Sequence, residues 1–95
     1  MSEGFNIPNS GVIYFGASWC PPCKQVKPFI KELKQENKEI HEIDVEENSL
    51  MAEYFQVVNV PTFVSVKNGK EYDRRLGAIP KKDIENMLKE AEKED

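Results

Sequence analysis

The chain has 95 residues, 13 of them basic and 17 acidic, giving a net charge of −4. This is enough for a single domain, 1–95, with a modest core; the negative balance offers no general attraction for nucleic acid, and no apolar run approaches the roughly 20 residues needed to cross a bilayer. Two cysteines and one histidine are too few for a self-contained tetrahedral zinc site or a disulfide framework. The opening segment, Met1-Ser2-Glu3-Gly4-Phe5-Asn6, has neither the basic start nor the apolar stretch of a secretory signal, so a cytoplasmic location is expected.

Residues 12–17, Val-Ile-Tyr-Phe-Gly-Ala, are nearly all apolar and predict a short strand covered on both faces. Trp19-Cys20-Pro21-Pro22-Cys23 follows at once, and from Pro21 to about Asn37 the pattern turns helical. Val26, Phe29, Ile30 and Leu33 form its apolar stripe, with Lys24, Lys27, Lys31 and Lys34 mostly on a solvated outer side. Lys24 and Lys27 are also placed to steer an acidic partner. Pro21 and Pro22 suit a first helical turn, whereas Pro28 lies inside the helix, deletes one hydrogen bond and predicts a kink. A Cys-x-x-Cys pair at a helix start puts both sulfurs within disulfide reach and the first at the positive end of the helix dipole, where its thiolate is favoured. Thiol–disulfide exchange needs that pairing: an attacking thiolate and a second thiol to resolve the mixed disulfide.

Residues 39–45 predict a second strand, and Asn48 to about Phe55 a short helix with Leu50, Met51, Tyr54 and Phe55 as its apolar set. Pro61–Lys67 and Glu71–Leu76 predict two strands joined through Lys67-Asn68-Gly69-Lys70, since Asn-Gly between strand-like runs is a strong hairpin signal. A last helix is expected from Pro80 to Ala91, burying Ile84, Met87, Leu88 and Ala91, with a frayed tail from Glu92 to Asp95. The order βαβαββα implies an α/β fold: a mixed four-stranded sheet with a parallel first pair, an antiparallel hairpin and helices on both faces in three layers.

On these residues the chain resembles the thioredoxin family. Trp19 before the cysteine pair, Lys24 after it, Pro28 in the helix, Val60-Pro61-Thr62, the Lys67-Asn68-Gly69 hairpin and Leu76-Gly77-Ala78 all match family positions, in one unbroken order over about residues 11–91. The resemblance implies a minimal thioredoxin-like sandwich, with Phe5 and Ile7 packed against an edge in place of a longer opening segment. Three positions depart from the usual pattern. Pro21 stands where glycine is common, Tyr14 where many members bury an aspartate, and Glu42 at a second-strand position that often carries lysine.

The expected activity is reduction of protein disulfides by dithiol exchange, with Cys20 as the more exposed nucleophile and Cys23 as the shielded resolving thiol. Pro21 stiffens the motif and removes a backbone N–H beside the sulfurs, and Pro22 matches the family. The resemblance implies a cis Pro61 facing the cysteines, with Trp19, Val60 and Gly77 completing an apolar docking surface for polypeptide. Two readings stand for Glu42 and Tyr14: a carboxylate that reaches solvent beside a tyrosine that merely packs, or a Glu42 beneath Cys23 as general base with Tyr14 donating a hydrogen bond to it, since a tyrosine with pKa near 10 is itself a poor base. His41 is expected as a packing or surface residue.

No metal or organic cofactor is expected, since the cysteines carry the electrons. The implied partners are disulfide-containing proteins, a thioredoxin reductase as electron donor and ribonucleotide reductase, with the chain itself a monomer in cellular redox homeostasis. Rival readings are a glutaredoxin-like enzyme recharged by glutathione, an exported thiol reductase of the cytochrome-maturation type, and a thioredoxin-fold interaction module whose cysteines are dispensable.

Overall fold

A computed structural model describes residues 7–93. Along the chain run β1 (Ser10–Gly16), α1 (Pro21–Gln35), β2 (Ile40–Asp44), α2 (Ser49–Tyr54), β3 (Thr62–Lys67), β4 (Lys70–Leu76) and α3 (Lys81–Glu92), in the expected order. The sheet order is β2-β1-β3-β4; β1 is parallel to β2 and antiparallel to β3, and β4 is antiparallel to β3. The apolar run of β1 therefore fills a central strand, buried from Gly11 to Gly16.

Alternation along the strands splits the core into two clusters. Val12 and Tyr14 of β1 and Phe63 of β3 pack with Val26, Ile30 and Leu33 of α1 and with Ile84, Met87 and Leu88 of α3. On the opposite face Ile13, Phe15, Val64 and Val66 pack with Met51 of α2 and with Phe55 just beyond it. Two helices on one side and one on the other make the three layers.

The first two helices end in the same way. After α1, Asn37 takes a left-handed φ of 63°, and the Asn37 and Lys38 N–H groups donate to the Lys34 and Leu33 carbonyls at 3.0 Å. After α2, Gln56 (φ 55°) repeats this arrangement with bonds from Gln56 and Val57 to Glu53 and Ala52, each a Schellman closure that satisfies otherwise orphaned carbonyls. The Arg74 guanidinium, paired with Glu71, also donates to the Phe55 carbonyl and so ties β4 to the end of α2. At the β3–β4 turn Asn68 and Gly69 both have positive φ, 54° and 75°, as a two-residue hairpin of the primed type requires.

Some expectations need correction. In α2 only Met51 and Ala52 are buried, while Leu50 and Tyr54 are exposed; a six-residue helix on one face of a sheet has only one inward side. Glu92 completes α3 rather than fraying from it. Ile7 packs against the second cluster, whereas Phe5, Glu94 and Asp95 lie outside the described residues. His41 is half-buried, with Nε2 3.3 Å from the Ser10 carbonyl oxygen.

Tyr14 is the largest fully buried side chain. Its ring packs on Phe63 with centroids 5.3 Å apart, and its hydroxyl occupies the space over Gly16, where any side chain would collide with it. That hydroxyl has no hydrogen-bond partner among the described residues, and burying an unsatisfied group costs about 1–3 kcal/mol. Tyr14→Phe is therefore predicted to raise stability by about 1 kcal/mol in urea unfolding with an unchanged m-value. A loss of stability would contradict this account of the core.

Candidate active site

The sulfur pair sits where β1 hands over to α1. The chain leaves the sheet at Gly16, and the Cys20 N–H closes a turn onto the Ala17 carbonyl at 3.2 Å. Cys20 is then the N-cap of α1, in an extended conformation with φ −89° and ψ 108°. Caps of this kind are usually Ser, Thr, Asp or Asn, whose side-chain oxygen accepts an orphan N–H of the first turn. Here a sulfur takes that place: the Cys23 N–H donates to Cys20 Sγ at 3.2 Å. Pro21 and Pro22 fill the first two helical positions and bring no N–H, so this is the single backbone donor that the first three positions offer. Cys20 and Cys23 form a disulfide with a Cα–Cα separation of 5.3 Å. In the dithiol state the same N–H and the helix dipole favour a Cys20 thiolate.

The sheet closes the other side of the pair. Phe15 of β1 pairs with Thr62 of β3, and Thr62 with Leu76 of β4, so the segments before Thr62 and after Leu76 meet at the sulfurs. The Val60–Pro61 peptide bond is cis, as expected. The Val60 carbonyl oxygen lies 3.7 Å from Cys20 Sγ, and the Pro61 carbonyl accepts the Gly77 N–H at 2.9 Å. Gly77 has φ 90°, a left-handed conformation that side-chain-bearing residues rarely adopt. The Thr62 hydroxyl donates to the Asn59 carbonyl at 2.6 Å, closing the loop before Pro61.

Trp19 is 60% exposed beside the pair, and its indole N–H donates to Glu46 at 2.9 Å. With Val45, Val57, Val58 and Val60 it lines a hollow of about 270 Å3. Sequence reasoning missed Val58 and Glu46 on this surface, and the exposure of Leu76 at the end of β4. Val58 and Leu76 are strongly exposed apolar residues at the end of unpatterned or alternating segments, and Glu46 is one acidic residue among several. The expected contrast between the cysteines is absent: Cys20 is 2% exposed and Cys23 1%. The N-cap conformation turns Cys20 inward to meet Cys23 N–H, and Ala17 and Val60 pack around the pair.

Glu42 and Tyr14 face each other across β1 and β2 in register, yet the expected hydrogen bond between them does not form. The Tyr14 hydroxyl donates to nothing among the described residues, while the Glu42 carboxylate is taken by two α1 lysines, Lys27 and, at 3.1 Å, Lys34. Lysines on the facing helix reach it; a phenol folded over Gly16 does not. Burial pushes the Glu42 carboxyl up, but the hydrogen bonds and charges of Lys27 and Lys34 outweigh it and hold the group below its ordinary value. Burial, and then the charges of Glu42 and Asp44, push Tyr14 up to about 12, so its phenol stays protonated at neutral pH. Lys24, directly after Cys23, is exposed. Among the described residues no group of three or more His, Cys, Asp or Glu is placed to hold a metal ion, and no helix is long and apolar enough to cross a membrane.

Comparison with known proteins agrees with this geometry. The thioredoxin family model matches residues 6–90. Thioredoxin of Mycoplasmoides gallisepticum is 32% identical over 80 residues, 82% of this chain and 80% of its own. Thioredoxin H5 of Arabidopsis thaliana is 40% identical over 80 residues, 82% of this chain and 68% of its own. A solved thioredoxin structure from Nicotiana alata is 36% identical, superimposes with a TM-score of 0.75, and is matched over 88% of this chain and 75% of its own. With a disulfide-forming pair at the head of α1 and a cis-proline against it, the chain belongs to the thioredoxin family and is a dithiol–disulfide oxidoreductase.

Proposed function

We propose that the chain reduces disulfides in other proteins, with Cys20 attacking and Cys23 resolving. The observation that carries the assignment of roles is the Cys23 N–H aimed at Cys20 Sγ: it stabilises negative charge on Cys20 and not on Cys23. The Cys20 thiolate attacks one sulfur of the substrate disulfide, expelling the other as a thiolate and leaving a mixed disulfide. Cys23, one helical turn on, loses its proton and attacks Cys20 Sγ. The substrate leaves as a dithiol, reduced by two electrons, and the Cys20–Cys23 disulfide holds the oxidised state until a reductase returns the electrons. The Val60 and Pro61 backbone, with Trp19 and Gly77, forms the docking surface for the substrate polypeptide, Pro21 and Pro22 hold the motif stiff, and Lys24 adds positive charge at its edge. A thioredoxin reductase as donor, ribonucleotide reductase as one acceptor, a monomeric state and a cytoplasmic location belong to the same reading.

Glu42 is the proposed acceptor of the Cys23 proton. In support, it sits on the face of β2 that meets α1, the helix bearing Cys23, and Lys27 and Lys34 keep it ionised and therefore able to accept at neutral pH. The same lysines make it a weak base, so it passes the proton on to solvent rather than retaining it. Tyr14 then acts only by packing and by excluding water.

Two experiments test these roles. Cys23→Ser is predicted to accumulate a covalent mixed disulfide with a disulfide-bonded protein substrate, visible by mass, while Cys20→Ser forms none; adducts on Cys23 in the Cys20→Ser variant would reverse the assignment. Glu42→Gln is predicted to shift the pH profile of the resolving step to higher pH while leaving the first attack unchanged. An unaltered profile would remove Glu42 from the mechanism. The same substitution has a stability signature: because the folded pKa of Glu42 is lowered, its contribution is present above the unfolded value of 4.5 and is lost as pH falls through the folded one. The deficit of Glu42→Gln in urea unfolding should therefore disappear in acid.

A further inference from the structure

Helix α1 has a second organised face besides the one in the core. Lys24, Lys27, Lys31 and Lys34 recur at helical spacing and, with Pro28 and Glu42, line a trough of about 620 Å3. It runs along α1 beside β2, an edge strand of the sheet. Four ammonium groups and one carboxylate leave this trough at net +3, in a chain whose total is −4. Positive charge is thus concentrated here against an acidic remainder. Like charges three and four residues apart on one helix face destabilise the helix, and Glu42 relieves only Lys27 and Lys34. Lys24 and Lys31 have no ion-pair partner among the described residues.

We infer that this trough docks an acidic segment of the protein whose disulfide is exchanged at Cys20, an inference that rests on the exchange reading above. From Lys24 to Lys34 the helix rises about 15 Å, the span of about four or five extended residues. Pro28 and the lysine stems supply an apolar floor under the charges, which suits a polypeptide with interspersed apolar side chains. Lys24 directly follows Cys23, so one end of the trough lies at the head of α1, in the helical turn that carries the disulfide. A nucleic acid fits less well, because its charge would continue past this short span over a chain whose remaining charge is −7, the total of −4 less the +3 of the trough.

The test uses two synthetic peptides with the same intramolecular disulfide, one flanked by a short run of glutamates and the other by glutamines. Their second-order rates of reduction by the reduced protein are compared at low and high salt. The glutamate peptide is expected to react about tenfold faster at low salt, and to lose the advantage at high salt, where exposed charges are screened. Lys31→Glu, an exposed position away from the sulfurs, should abolish most of that preference and leave the glutamine peptide unaffected. Equal rates for the two peptides at low salt, or equal slowing of both by Lys31→Glu, would overturn the docking surface while leaving the reductase intact. Reduction of neither peptide would overturn the exchange reading and the docking surface with it. A single-stranded oligonucleotide that binds and slows both peptides alike, with no glutamate preference, would assign the trough to nucleic acid and overturn the proposal.

Discussion

The position at which α1 begins governs the rest of the site. A helix start leaves its first amides without carbonyl partners, and in this chain two of the first three positions are prolines with no amide to offer. The remaining N–H, that of Cys23, goes to the sulfur of Cys20. That bond sets Cys20 as the cap, points its side chain inward, and places Cys23 one turn along within disulfide reach. It also separates the two thiols chemically, because only Cys20 receives a backbone donor that favours a negative charge on its sulfur.

The sheet then supplies what the helix start lacks. Because β3 runs antiparallel to β1, its first residues lie beside the last residues of β1, and β4 returns to the same end. The Val60–Pro61 backbone and Gly77 are thereby brought to the sulfurs from positions about 40 and 57 residues further along the sequence. The central placement of β1, between β2 and β3 and under helices on both faces, packs the strand that leads into the sulfur pair on every side. Catalytic groups are held better on such a scaffold than on free loops.

Much of this was legible in the sequence because periodicity, turn chemistry and motif spacing are local signals. The continuous apolar run of β1, the helical stripe from Val26 to Leu33 and the Asn68-Gly69 turn each declare their own conformation. The cis Pro61 was legible only through the resemblance, since nothing local distinguishes it from a proline opening an ordinary strand. Side-chain pairing was the least legible layer. Tyr14 and Glu42 lie opposite each other in register, but the hydrogen bond expected between them does not form, because which of several neighbours captures a half-buried carboxylate depends on reach across the packed helix. Lys27 and Lys34 reach Glu42, and Tyr14 folds over Gly16. The near-equal burial of Cys20 and Cys23 was hidden for the same reason, as it depends on how Ala17 and Val60 close over the pair.

A disulfide reductant needs a Cys20–Cys23 pair that gives electrons away more readily than it accepts them. Equilibrating the protein in glutathione redox buffers, alkylating free thiols and reading the fractions by mass gives the reduction potential of the pair directly. For a pair that reduces other proteins the expected value is near or below about −240 mV, at the reducing end of the range for such proteins. A value above about −200 mV would mark an oxidase or isomerase instead, and failure to form the intramolecular disulfide at all would contradict the account outright.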